Sequence, residues 1–118
     1  VTIKQLYQPM GSKQCGQTCV AMIAGVTVEE VVKLIGKKGR TTHNDWRKAL
    51  QVYGFDVLEK RRVSNKRPFP DLCIAIQKQP GHNVRHAFVM YKGQIYDPRP
   101  LDHLAWPITS YVRVVANR

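Results

Sequence analysis

Acidic residues are scarce in this 118-residue chain: Asp and Glu number 8 against 19 Lys and Arg, a formal charge of +11. The imbalance says little about fold, but it raises encounter rates with anything acidic, whether nucleic acid, an anionic membrane surface or an acidic peptide or protein. Cysteine is also sparse and odd in number, 3 in all. That argues against a closed disulfide framework and for reduced thiols in a cytoplasmic setting, either the producing cell's own or a target cell's if the chain is a delivered toxin domain. No apolar run is long enough to cross a bilayer and no signal-peptide pattern is present, which excludes a helical membrane span from the expectation. Zinc-finger spacing, an aromatic RNP-type strand and a GXXG clamp flanked by a suitable helix pair are missing too. Nucleic acid is therefore a partner suggested by charge and by no base-reading motif. Internal repeats and low-complexity segments are absent, and charged and apolar fractions are those of a globular protein. The length predicts one domain over residues 1–118.

What is present divides into a helical first half and an extended second half. A polar stretch from Gln8 runs into Cys15, after which Cys19, Met22 and Ile23 fall on one helical face, with Gly25 as the stop. Thr27-Val28-Glu29-Glu30 has the form of a capping box, and Val31, Val32, Leu34 and Ile35 offer a core face before Gly36. Thr42-His43-Asn44-Asp45 predicts a third helix, with Trp46, Ala49, Leu50 and Tyr53 at helical spacing up to Gly54. The period then changes. Phe55–Glu59 and Leu72–Gln77 predict strands separated by a proline-containing connector over Ser64–Pro70; Lys60-Arg61-Arg62 reads as a solvated basic run. His86–Tyr91 and Gln94–Asp97 predict two strands joined at Lys92-Gly93, Leu101–Pro107 an irregular segment, and Tyr111–Val115 a closing strand.

The chemistry concentrates at two places. Cys15 falls at a helix N-terminus, where unpaired N–H groups and the positive end of the helix dipole favour a thiolate. Cys19 and Cys73, set in apolar runs, are expected to be buried structural thiols. In the hairpin, a two-residue loop puts Phe88 opposite Asp97 and His86 diagonally across from Asp97, within reach of two side chains. A thiolate nucleophile, an imidazole base and an orienting carboxylate are what covalent acyl chemistry requires. Asp97 could equally cap the turn before Pro98. Spacing alone does not bring Cys15 to His86.

Gln8 upstream of Cys15-Gly16, the run Cys19-Val20-Ala21-Met22-Ile23, the helix ending at Tyr53-Gly54-Phe55, and His86-Ala87-Phe88-Val89 leading to Asp97-Pro98 resemble the C39-type cysteine peptidases. These form a branch of the papain-like fold whose best-known members trim leader peptides within transporters. The resemblance implies an α+β fold with N-terminal helices packed on a C-terminal antiparallel β-sheet. It also implies a nucleophile at Cys15, a general base and acid at His86, an orienting carboxylate at Asp97, and an oxyanion hole formed by Gln8 with the Cys15 backbone N–H. No cofactor and no metal are implied. Two departures stand out: Gln14 precedes Cys15 where an acid is common, and the Gln8–Cys15 loop is slightly long, so Gln14 is a second candidate for the oxyanion donor. The expected activity is hydrolysis of a peptide or isopeptide bond in a peptide or protein substrate of acidic character.

Three other classes fit parts of the sequence. A papain-like toxin or nuclease acting on RNA would suit the charge. A metal module would use Cys15, Cys19, His82 and His86, although the intervening stretch is too long for a zinc finger and Cys19 is wanted by the core. An inactive peptide-binding relative would keep the fold without a reactive thiol. His43, His82 and His103 have no assigned partner, and Trp46 at helical spacing belongs with the core.

Overall fold

Local capping sets the three helices. In a computed structural model of the chain, which describes residues 1–99 and 106–117, helix α1 spans Cys15–Ala24, α2 Val28–Ile35 and α3 His43–Val52. Helices α1 and α2 end at Gly25 and Gly36, whose N–H groups bond back to Ala21 and Val32 at 2.9 and 2.8 Å. Thr27 caps α2 by accepting from the Glu30 N–H. At α3 both arms of a capping box form: the Thr42 hydroxyl accepts from the Asp45 N–H and the Asp45 carboxylate accepts from the Thr42 N–H.

Five strands follow: β1 Phe55–Arg62, β2 Leu72–Lys78, β3 Arg85–Tyr91, β4 Gln94–Tyr96 and β5 Ile108–Ala116. They form one antiparallel sheet in the order β1-β5-β2-β3-β4. The architecture is the expected α+β arrangement of N-terminal helices on a C-terminal antiparallel sheet. Leu72, Ile74, Ile76, Ala87, Val89, Val112 and Val114 share a core with Cys19, Val20, Met22, Val31, Trp46 and Leu50 of the helices. The opposite face holds a smaller cluster of Cys73, Ala75, Phe88, Met90 and Tyr111, against which the connector packs Phe69. Alternate residues of β2 thus enter two apolar clusters, which is why this strand reads as a continuous apolar run.

The structure departs from expectation in three places. Leu34 is 43% exposed and only Val31 of α2 is fully buried. Val28, Val31 and Ile35 form the contacting stripe, and Leu34 lies ~60° to the side of Val31 on a 100°-per-residue helix. Strand β1 extends through Lys60-Arg61-Arg62, past a register shift between Val57 and Lys60. An edge strand needs little apolar surface, and charges on it discourage pairing with other chains, so the basic run hides a strand. Strand β5 is three residues longer at its start and lies inside the sheet, with Val57 and Val114 paired on one side and Ile74 and Val112 on the other. Of the segment 101–107 read as irregular, 101–105 lie outside the described residues, as does His103.

Candidate active site

The first 14 residues have no regular secondary structure, yet they bring polar side chains to one end of the sheet. Gln5 Nε2 donates to the Asp97 carbonyl at 2.9 Å, and the Gln8 N–H donates to the Pro98 carbonyl at 3.3 Å. The chain then enters α1 at Cys15. Its N-cap residue Gln14 makes no side-chain cap, and the first turn holds no acidic residue. No acidic side chain therefore competes with the Cys15 sulfur for the first turn of the helix.

The hairpin supplies the partners. Lys92 and Gly93 have φ of 49° and 81°, the double left-handed geometry of a two-residue turn, for which glycine at the second position is the ready choice. Tyr91–Gln94 and Val89–Tyr96 pair accordingly. Asp97 follows the last β4 residue, and its Oδ1 lies 2.6 Å from His86 Nε2, both side chains about 95% buried. The same oxygen accepts from the Arg99 N–H at 2.8 Å, so Asp97 both caps its turn and holds the imidazole. With Nε2 taken by Asp97, Nδ1 is the ring nitrogen left to face Cys15, and the Cys15 thiol and His86 lie close enough to shift each other's titration.

Electrostatics follow from this chain of contacts. Burial alone would raise the Cys15 pKa, but the hydrogen bond to His86, the Ala87 N–H, the imidazolium charge and the Gly16 N–H together bring it below the ordinary thiol value. Burial likewise favours neutral His86, but Asp97 and Cys15 outweigh it and push the imidazole up to about 9. The two shifts are coupled: each group favours the charged form of the other. Burial drives Cys19 well above the thiol range, helped by Cys15 and Asp97, and burial lifts Cys73 to about 12. Those two are inert thiols.

Cys15 is partly accessible and opens into a cavity of about 290 Å3 lined by Arg40, Thr41, Trp46, Lys60, Ile76 and Arg85, among others. Trp46 is 6% exposed and belongs to the core as expected, yet its edge reaches this cavity, where Nε1 donates to Thr41 Oγ1 at 2.7 Å. His43 lines it too, whereas His82 lies in the exposed turn before β3. Gln8 Nε2 donates to the Ser12 carbonyl at 2.8 Å while its Oε1 is buried without a partner; Gln14 Nε2 donates to the Lys38 carbonyl at 3.0 Å. Among the described residues, no group of three metal-ligating side chains comes together. No described helix is long and apolar enough to cross a membrane.

Sequence reasoning missed the Ala87 and Gly16 N–H groups at the sulfur and the basic lining of the cavity. Neither has a local signature: backbone donors carry no residue identity, and Arg40, Lys60 and Arg85 come from a loop and two strands.

A helical layer on an antiparallel sheet, with a cysteine heading the first helix, a histidine on β3 and a carboxylate just after β4, defines an α+β fold. Among solved structures the chain is similar to a double-glycine motif protease from an AMS/PCAT transporter, crystallised in complex with the leader peptide. The TM-score is 0.67 at 18% sequence identity, over 98% of this chain and 92% of that one. No protein-family model matches the chain, and no curated protein matches it.

Proposed function

We propose that residues 1–118 form one cysteine hydrolase domain that cleaves peptide or isopeptide bonds. The observation that carries this is the buried His86–Asp97 pair beside Cys15, a partly accessible thiol at a helix N-terminus with the carboxylate behind the imidazole. The shared fold with a protease that holds a leader peptide supports a peptide substrate.

In this mechanism the Cys15 thiolate attacks the carbonyl carbon, the C–S bond forms and the carbonyl electron pair moves onto oxygen. The Cys15 backbone N–H and the Gln8 amide, which has a second hydrogen beyond the one given to Ser12, stabilise that oxyanion. His86 passes its proton to the leaving nitrogen as the C–N bond breaks. Water then attacks the thioester, His86 takes a proton from it, and the acid departs with the thiolate restored. Asp97 keeps the ring oriented through both half-reactions.

Turnover of a peptide library by wild type and by Cys15→Ala tests the proposal. Wild type is expected to cleave a subset of peptides and Cys15→Ala none; cleavage that survives the substitution refutes it. Gln8→Ala is expected to lower kcat on the order of 10²-fold. A comparable loss in Gln14→Ala, with Gln8→Ala unaffected, would move the oxyanion role to Gln14.

A further inference from the structure

We propose that the cavity beside Cys15 is a subsite for a carboxylate, so that the substrate presents an Asp or Glu side chain next to the bond that is cut. The inference deepens the peptidase reading by naming its substrate class, and it rests on features that the triad does not use. Arg40, Lys60 and Arg85 converge on this cavity and no Asp or Glu lines it. Among the described residues none of the three cations is paired with a carboxylate. Unpaired cations around an apolar floor of Trp46 and Ile76 are worth most to an anion that enters and displaces water there.

The backbone of the loop that leads to Arg40 is held in place. Gln17, fully buried on α1, donates from Nε2 to the carbonyls of Lys37 and Gly39 at 3.0 and 2.8 Å, and Gln14 donates to Lys38 at 3.0 Å. The N-cap and a first-turn side chain of the cysteine's own helix thus grip three consecutive residues leading to Arg40. The Lys37–Asp45 ion pair at 2.9 Å and the α3 capping box fix the other side of that loop. The backbone that leads into Arg40 is therefore tied to α1 beside Cys15, which a specificity determinant requires and a solvated basic run does not.

The size and chemistry favour a peptide side chain over a nucleic-acid strand. A cavity of about 290 Å3 lies at the small end of ligand sites, which run roughly 300–1,000 Å3, and takes one side chain. Single-stranded nucleic acid needs an open basic track and exposed aromatic faces for stacking. Trp46 is 6% exposed with its Nε1 committed to Thr41.

Two alkylating probes of near-equal size test the subsite without any assumption about turnover. In both, the Cys15 thiolate displaces iodide to form a C–S bond, but iodoacetate carries a carboxylate and iodoacetamide does not. The ratio of the two rates at Cys15 is expected to fall about three-fold or more in Arg40→Gln and Arg85→Gln, and again with added salt. Arg113→Gln, which removes the same charge from an exposed β5 position outside the cavity, is expected to leave the ratio alone. In the peptide library, Asp or Glu near the cut should raise kcat/KM in wild type and lose that advantage in Arg40→Gln. A ratio indifferent to Arg40 and Arg85 overturns the subsite. So does protection of Cys15 by an oligoribonucleotide but not by a glutamate-containing peptide. A ratio that depends on Arg40 while no peptide is cleaved would sink the peptidase reading and leave the carboxylate subsite standing.

Discussion

At the scale of single residues, the pairing of Cys15 with His86 makes a proton-counting argument. Near neutral pH the unfolded chain holds Cys15 as a thiol and His86, above its ordinary value of 6.5, as a neutral imidazole. A folded thiolate–imidazolium pair carries the same single proton, so between 6.5 and about 9 such a pair gives stability no slope with pH. Removing the sulfur breaks this balance. In Cys15→Ala the folded imidazole still keeps a proton against Asp97 that the unfolded imidazole has released. A raised folded value contributes stability that is fully present below 6.5 and is lost as pH climbs toward about 9, somewhat earlier once the Cys15 contribution is gone. Denaturant midpoints measured across this window should therefore decline more steeply with pH in Cys15→Ala than in wild type. Parallel curves would mean that, without the sulfur, the imidazole stays neutral against Asp97.

At the scale of elements, the position of the thiol depends on how closely α1 approaches α3 and the loop before it. A Cβ at Gly16 would overlap Thr41 Oγ1 and Trp46 Nε1 and lie 3.0 Å from Trp46 Cε2. These are the two atoms joined by the Trp46–Thr41 hydrogen bond at the cavity wall. Gly16→Ala is expected to destabilise the fold by about 1–3 kcal/mol, as overpacking does. Gly39→Ala, where nothing lies within 4 Å and φ is not positive, is expected to be neutral or slightly stabilising. Chemical denaturation of the two variants side by side checks both. Elements with local chemistry were legible in the sequence: Thr42 with Asp45 at α3, Gly25 and Gly36 as stops, and the Lys92-Gly93 turn that set His86 against Asp97. Where tertiary context decides, local pattern fails. Edge position let β1 carry Lys60-Arg61-Arg62, the insertion of β5 between β1 and β2 let it run from Ile108, and a contacting stripe through Val28, Val31 and Ile35 left Leu34 outside. Cys15 and His86 meet only because α1 packs against β3 in the folded chain, a contact that no spacing encodes.

At the scale of the whole molecule, the charge of +11 acts through how few acids remain to offset it. Asp97 is committed to His86, Asp45 to the α3 cap and Lys37, and Glu30 to the Tyr53 hydroxyl at 2.7 Å. A cleft whose cations face it without counter-charge draws acidic substrates from a distance set by ionic strength. Raising salt from about 0.01 to about 0.15 M shortens the screening length from ~30 to ~8 Å, which removes long-range attraction while leaving contacts inside a partly enclosed cavity mostly intact. For an acidic peptide, kcat/KM should therefore fall with salt mainly through KM, with kcat nearly constant, and a neutral peptide of the same length should respond weakly. Steady-state kinetics on the two peptides across this range check the expectation. An equal response would assign the salt effect to the Cys15–His86 pair, whereas a difference confined to KM assigns it to the field of the uncompensated cations around the cleft.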